Sequence, residues 1–147
     1  MDLREAVQNS YFVHGLEPAE IDQIVAISQV RQFDGGATIV RQFEKTFDLM
    51  IVLSGGARIN TFSGDNIVEV GPGGVIGEIS FLDERPRSAT VMSAGTTSVA
   101  VIPAAALRQL WHDNPNIELA MLRNLTRVLC DHVRLNNMQL EGGLGRH

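Results

Sequence analysis

Residues 73–91 read Gly73-Gly74-Val75-Ile76-Gly77-Glu78-Ile79-Ser80-Phe81-Leu82-Asp83-Glu84-Arg85-Pro86-Arg87-Ser88-Ala89-Thr90-Val91. The stretch offers a carboxylate, a guanidinium, small residues and a backbone free to bend. Gly77 lets the main chain approach a ligand and take dihedrals that other residues resist. Ile79-Ser80-Phe81-Leu82 can form one helical turn whose first N–H groups point at an anion. Arg87 can clamp a phosphate through two parallel donors, a geometry Lys lacks. Glu78, once ionised, only accepts hydrogen bonds and so suits a sugar hydroxyl. Together these groups fit a small ligand with a phosphate at one end and a ribose beside it. The plainer reading is that Glu78 and Arg87 pair with each other across a loop.

At these residues the chain resembles the cyclic nucleotide-binding domain family. That family's phosphate-binding cassette runs Gly-Glu, a short apolar turn, a variable loop, then Arg, a small residue, Ala and a β-branched residue. Gly77-Glu78-Ile79-Ser80 and Arg87-Ser88-Ala89-Thr90-Val91 fill those places in order. The resemblance implies a ligand-binding set of Val75, Ile76, Gly77, Glu78, Ile79 and Ser80, then Arg87, Ser88 and Ala89. Glu78 would take the ribose 2′-hydroxyl. Arg87 would take the cyclic phosphate, with N–H groups near Ser80 and Ala89 assisting. In relatives, Thr after the cassette Arg often accompanies cGMP, and Ala or Ser often accompanies cAMP. Ser88 therefore implies cAMP before cGMP. Two places depart from the family pattern. Gln42 is followed by Phe43, where many members have Gly, and Gly55-Gly56 stands where a single Gly is common.

Around the cassette the chain is punctuated like a β-protein. Val30–Phe33, Thr38–Val40, Leu49–Leu53, Ala57–Phe62, Ile67–Val70, Thr90–Met92 and Ser98–Ile102 are short segments separated by glycine-rich turns. Ser63-Gly64-Asp65-Asn66 is one hairpin-type turn. Leu49-Met50-Ile51-Val52-Leu53 is continuously apolar, the mark of a strand buried on both faces. Regularly spaced short strands predict a sandwich or barrel. The family resemblance sharpens this to a mainly β fold with flanking helices. It implies an eight-stranded β-roll of jelly-roll type, with short N-terminal helices and a long C-terminal helix. The expected organisation is one domain over 1–147. Residues 1–29 form the N-terminal helices, 30–103 the roll with cassette 73–91, and 104–140 the C-terminal helices.

Leu16-Glu17-Pro18-Ala19-Glu20 is a helix start with Pro in the first turn. Asn114-Pro115 is another, and the helix it opens is expected to stop at Gly142-Gly143. Ile117, Met121, Leu125, Val128, His132 and Leu135 recur at alternating threes and fours. Such a stripe packs either on its own roll or, in its far half, on a second copy of the chain. The resemblance to catabolite activator proteins implies that this helix dimerises and covers the nucleotide base. Leu129, His132 and Val133 are then the lid residues.

Composition bounds the remaining classes. The 147-residue chain carries a net charge of -5, which opposes a nucleic-acid surface. No apolar run reaches membrane-spanning length. The lone cysteine, Cys130, excludes an internal disulfide, suits a reducing cytoplasm and is expected to be buried as a small apolar residue. His14, His112, His132 and His147 are scattered, so neither a zinc site nor a metal-dependent jelly-roll enzyme is expected. The reading is a cytoplasmic, non-catalytic sensor of cAMP or cGMP with no tightly bound cofactor. It signals through its C-terminal helix to a downstream protein. The alternative is a degenerate cassette domain that serves as an interaction scaffold without nucleotide.

Overall fold

The apolar run at Leu49 organises the computed structural model, which describes residues 1–60 and 67–144, with side chains to residue 138. The strand Leu49–Ser54 buries its side chains alternately into two cores. Leu49, Ile51 and Leu53 enter one, while Met50 and Val52 enter the other. A strand that is covered on both faces cannot alternate apolar with polar, which is why the run is continuous.

Eight strands form two antiparallel four-stranded sheets. In chain order they are β1 (Gln29–Phe33), β2 (Thr38–Val40), β3 (Leu49–Ser54), β4 (Ala57–Asn60), β5 (Ile67–Val70), β6 (Val75–Ile76), β7 (Thr90–Ser93) and β8 (Thr97–Ile102). One sheet has the order β1-β8-β3-β6 and the other β2-β7-β4-β5. Register keeps the cores consistent: Ile51 pairs with Ala100 and Met50 with Val101. The first pair faces the helices and the second faces the opposite sheet. This is the expected β-roll with flanking helices. The turn at Ser63–Asn66 lies outside the described residues.

Helices α1 (Leu3–Asn9) and α2 (Pro18–Ile27) precede the roll. In α1, Asp2 accepts from the Glu5 N–H at 2.8 Å, and the Glu5 side chain returns to the Asp2 N–H. In α2, Pro18 occupies the first turn, where its missing N–H costs nothing. Helix α3 (Glu78–Asp83) lies between β6 and β7, which places the cassette among the late strands as expected. Helices α4 (Ala104–Asp113) and α5 (Pro115–Leu144) follow the roll.

The stripe on α5 divides. Ile117, Met121 and Leu125 are fully buried in the helix-facing core with Phe12, Ile24, Leu107 and Trp111. Buried Asn124 fixes the docking by donating to the carbonyls of Phe12 at 3.0 Å and His14 at 2.9 Å. Beyond that point Val128 is half-buried, and His132 and Leu135 are exposed. Two expectations are corrected here. Cys130 is exposed rather than buried, because it lies past the packed half of the helix. The helix also does not stop at Gly142-Gly143 but runs through both to Leu144. Glycine weakens a helix by about 1 kcal/mol and ends it only where the chain turns left-handed. Among the described residues no helix is long and apolar enough to cross a membrane.

Candidate functional site

Arg87 is the centre of the cassette, and it is only 3% exposed. Its guanidinium donates from Nε to Thr46 Oγ1 at 3.1 Å, from Nη1 to the Gly77 carbonyl at 3.2 Å and from Nη2 to the Asp48 carbonyl at 2.9 Å. These acceptors are neutral, and they use three of the five N–H groups that Arg carries. Among the described residues Arg87 forms no ion pair, so the plain pairing with Glu78 across the loop is not what holds it. Burial lowers the guanidinium pKa from its ordinary value, while the charges of Asp48, Glu44 and Glu78 raise it. Asp48 also accepts from the Ala104 N–H at 2.8 Å through its side chain, so the residue under Arg87 caps α4 as well.

Gly77 shapes the backbone beneath Arg87. Its φ is 87°, in the left-handed region, and it forms the N-cap of α3. A Cβ there would lie 2.5 Å from Arg87 Nη1 and 2.7 Å from the Asp48 carbonyl oxygen. The glycine is what lets the guanidinium lie against the backbone. The family-pattern departure at Phe43 is resolved in a similar way. Phe43 takes a φ of 73°, the left-handed conformation that glycine favours, and leaves its ring 70% exposed. Its N–H donates to the Arg87 carbonyl at 2.8 Å, and the Arg87 N–H donates to the Glu44 carbonyl at 2.9 Å. These two bonds tie the loop to the Arg87 backbone. At the other departure, Gly55 has a φ of 76°, and a Cβ would sit 2.3 Å from the Thr96 carbonyl oxygen.

A pocket of about 450 Å3, open solvent at its mouth included, lies over Arg87. It brings together Ile76, Gly77, Glu78, Ile79 and Ser80 from one side with Arg87, Ser88 and Ala89 from the other. Val40, Ile59 and Val91 complete its apolar wall. Reading the sequence did not place these three in the ligand-binding set, although Val91 closes the cassette motif. They come from β2, β4 and β7, and their common signal is only an inward position on a strand. The pocket therefore has a cationic floor, one carboxylate at its edge and apolar sides.

Val75 is displaced from this pocket into an adjoining hollow. The hollow is bounded by Tyr11 of the 3-10 turn Tyr11–Val13, by β5 and by Val128 and His132 of α5. Glu78 lines both spaces. Burial pushes its carboxyl above the ordinary value, against its own backbone N–H, His132 and Arg87, which pull it down. The Tyr11 hydroxyl is pushed up as well, by burial and then by the Glu78 charge. Of the three expected lid residues, His132 lines the hollow, while Leu129 and Val133 line neither space. At about 100° per residue, the helix presents Val128 with His132 rather than Leu129. Among the described residues no three His, Cys, Asp or Glu side chains gather closely enough for a metal ion.

The family model described as cyclic nucleotide-binding domain matches residues 30–114, more than half of the chain. The chain belongs to the cyclic nucleotide-binding domain family. The domain is 34% identical over 102 residues to a cyclic nucleotide-gated potassium channel of Mesorhizobium japonicum, covering 69% of this chain and 28% of the channel. It is 32% identical over 139 residues to the cyclic AMP receptor protein of Thermus thermophilus, covering 92% of this chain and 62% of that protein. The crystal structure of a cyclic nucleotide-binding domain from Methylobacillus flagellatus superposes with a TM-score of 0.79. That superposition covers 96% of this chain and 82% of the other at 23% identity, which shows a shared fold. The chain spans less than two thirds of the length of the two curated relatives.

Proposed function

We propose that the domain binds a cyclic mononucleotide over Arg87, cAMP in preference to cGMP, and performs no chemistry on it. The observation that carries this reading is the buried Arg87 guanidinium meeting only neutral acceptors. Buried charges are ordinarily paired, and a phosphate is the partner whose geometry matches two remaining donors. Glu78 at the pocket edge takes the ribose 2′-hydroxyl, and the N–H groups of Ser80 and Ala89 support the phosphate. Ser88 and the similarity to the cyclic AMP receptor protein of Thermus favour cAMP. Val128 and His132 stand beside Glu78, so a ligand there biases the position of α5, and the change in population is the signal. The exposed stripe beyond Leu125 is offered to a second copy or a downstream protein. Residues 1–147 act as one sensor domain inside the cell.

Calorimetric titration with cAMP and cGMP tests this reading. Truncating one partner of a buried charge pair costs about 2–5 kcal/mol. Arg87→Ala should therefore weaken binding by roughly thirtyfold to several thousandfold. Arg87→Lys should weaken it too, because the fork is lost. Arg85 is exposed, and Arg85→Ala should matter little. No heat with either nucleotide at millimolar concentration would replace this reading with an interaction scaffold.

A further inference from the structure

Helix α3 has only six residues, and its final carbonyls need partners from beyond the helix. The Ser80 carbonyl accepts from the Glu84 N–H at 3.0 Å. The Phe81 carbonyl would next accept from the Arg85 N–H, but that N–H donates to Asp83 Oδ1 at 3.0 Å. Arg108 of α4 supplies the missing donor: its Nη2 donates to the Phe81 carbonyl. Its Nη1 pairs with Glu84 Oε1 at 3.2 Å. The guanidinium carbon stands 4.7 Å from the centre of the Phe81 ring. Phe81 is fully buried and meets Trp111, one turn further along α4, edge-on at 5.2 Å. One side chain of α4 thus holds a carbonyl, a ring and a carboxylate at the end of the cassette helix.

The opposite end of α3 lines the pocket with Glu78, Ile79 and Ser80. Six helical residues span about 9 Å, too short to bend, so both ends move together. Helix α4 in turn leads through Asn114 alone into α5, and the Trp111 Nε1–H reaches Met121 Sδ at 3.3 Å. We propose that Arg108 is a positioning residue that fastens the cassette helix to α4. It holds the pocket-facing end of α3 in place and makes α4 follow when the pocket fills. The second half of that statement rests on the nucleotide reading; the first half does not.

Hydrogen–deuterium exchange separates the two. Without nucleotide, Arg108→Ala should speed exchange of the Phe81 to Arg85 amides by about tenfold or more, the equivalent of about 1.4 kcal/mol. Amides of β3 and β8 should stay within about twofold. Arg108→Lys keeps the charge but not the fork, and should also speed α3 exchange. Glu84→Gln removes only an ion pair whose carboxylate is 63% exposed, and should exchange like the wild type. Unchanged α3 exchange in Arg108→Ala overturns the proposal, as does equal acceleration of α3 and β3, which would mean general loosening. With saturating cAMP, exchange should slow across α3 and α4 in the wild type but across α3 alone in Arg108→Ala. Equal slowing of α4 in both overturns the coupling. No slowing and no calorimetric heat with cAMP or cGMP overturns the nucleotide reading, and the ligand-free comparison still decides the role of Arg108.

Discussion

From Ile117 to Leu125, α5 sends three apolar side chains into the core and needs one buried amide, Asn124, to set its depth. From Gly77 to Arg87, the cassette buries a guanidinium and holds it with a hydroxyl, two carbonyls and a left-handed glycine. The first region is stabilised by area removed from water, which is forgiving of detail. The second depends on directional contacts, where a single added atom has no room. The lesson is that the two regions should respond to substitution in different observables: stability for the helix, ligand affinity and local geometry for the cassette.

The largest effect should come from the helix. Leu125→Ala should cost about 2–5 kcal/mol in urea denaturation, since a fully buried leucine leaves a cavity. Leu135, exposed on the far half, should change stability by no more than about 0.5 kcal/mol when truncated in the monomer. For the same reason a charge at Leu125 would unfold the domain rather than separate two copies. Equal costs at Leu125 and Leu135 would erase the division within α5.

Gly77→Ala is the sharpest test of the cassette side. A side chain at positive φ costs about 1–2 kcal/mol. The Cβ would also push Arg87 Nη1 aside, so nucleotide affinity should fall together with the melting temperature. Survival of full affinity would mean that Arg87 is not placed by this glycine.

Glu78 gives a pH test with a definite sign. Its folded-state pKa is raised, so the folded protein binds a proton more readily than the unfolded chain. The resulting stability is fully present below the ordinary carboxyl value and is lost as pH rises through the raised one. Glu78→Gln should flatten that decline and raise the melting temperature at pH 7, while weakening nucleotide binding. An unchanged pH profile would show that Glu78 is solvated rather than buried.

The smallest effect is expected at Phe43. Phe43→Gly relieves a left-handed strain of about 1–2 kcal/mol but adds about 0.5–1 kcal/mol of chain entropy to the unfolded state. The net should be a gain of up to about 1.5 kcal/mol by urea denaturation, with binding intact. A loss would show that the exposed ring packs on something.

Local sequence determined what depends on neighbours in the chain. The run Leu49–Leu53 declared a doubly covered strand, Pro18 and Pro115 marked helix starts, and Gly77-Glu78 with Arg87-Ser88-Ala89 marked the cassette. The strand and the helix starts rest on apolar period and backbone preference, and the cassette on its resemblance to the family motif; all are written within a few residues. Tertiary structure decided what depends on distance through space. Thr46 and Asp48 hold Arg87 from about 40 positions away, and Arg108 reaches Phe81 from 27 away. No local pattern marks these partners, because a hydroxyl or a backbone carbonyl looks the same everywhere in a sequence. The stripe on α5 shows the same limit. Its spacing fixed which residues share a face, but only the presence of Phe12 and Ile24 beneath one half decided where burial ends. Periodicity is a property of one helix, whereas burial needs a second surface.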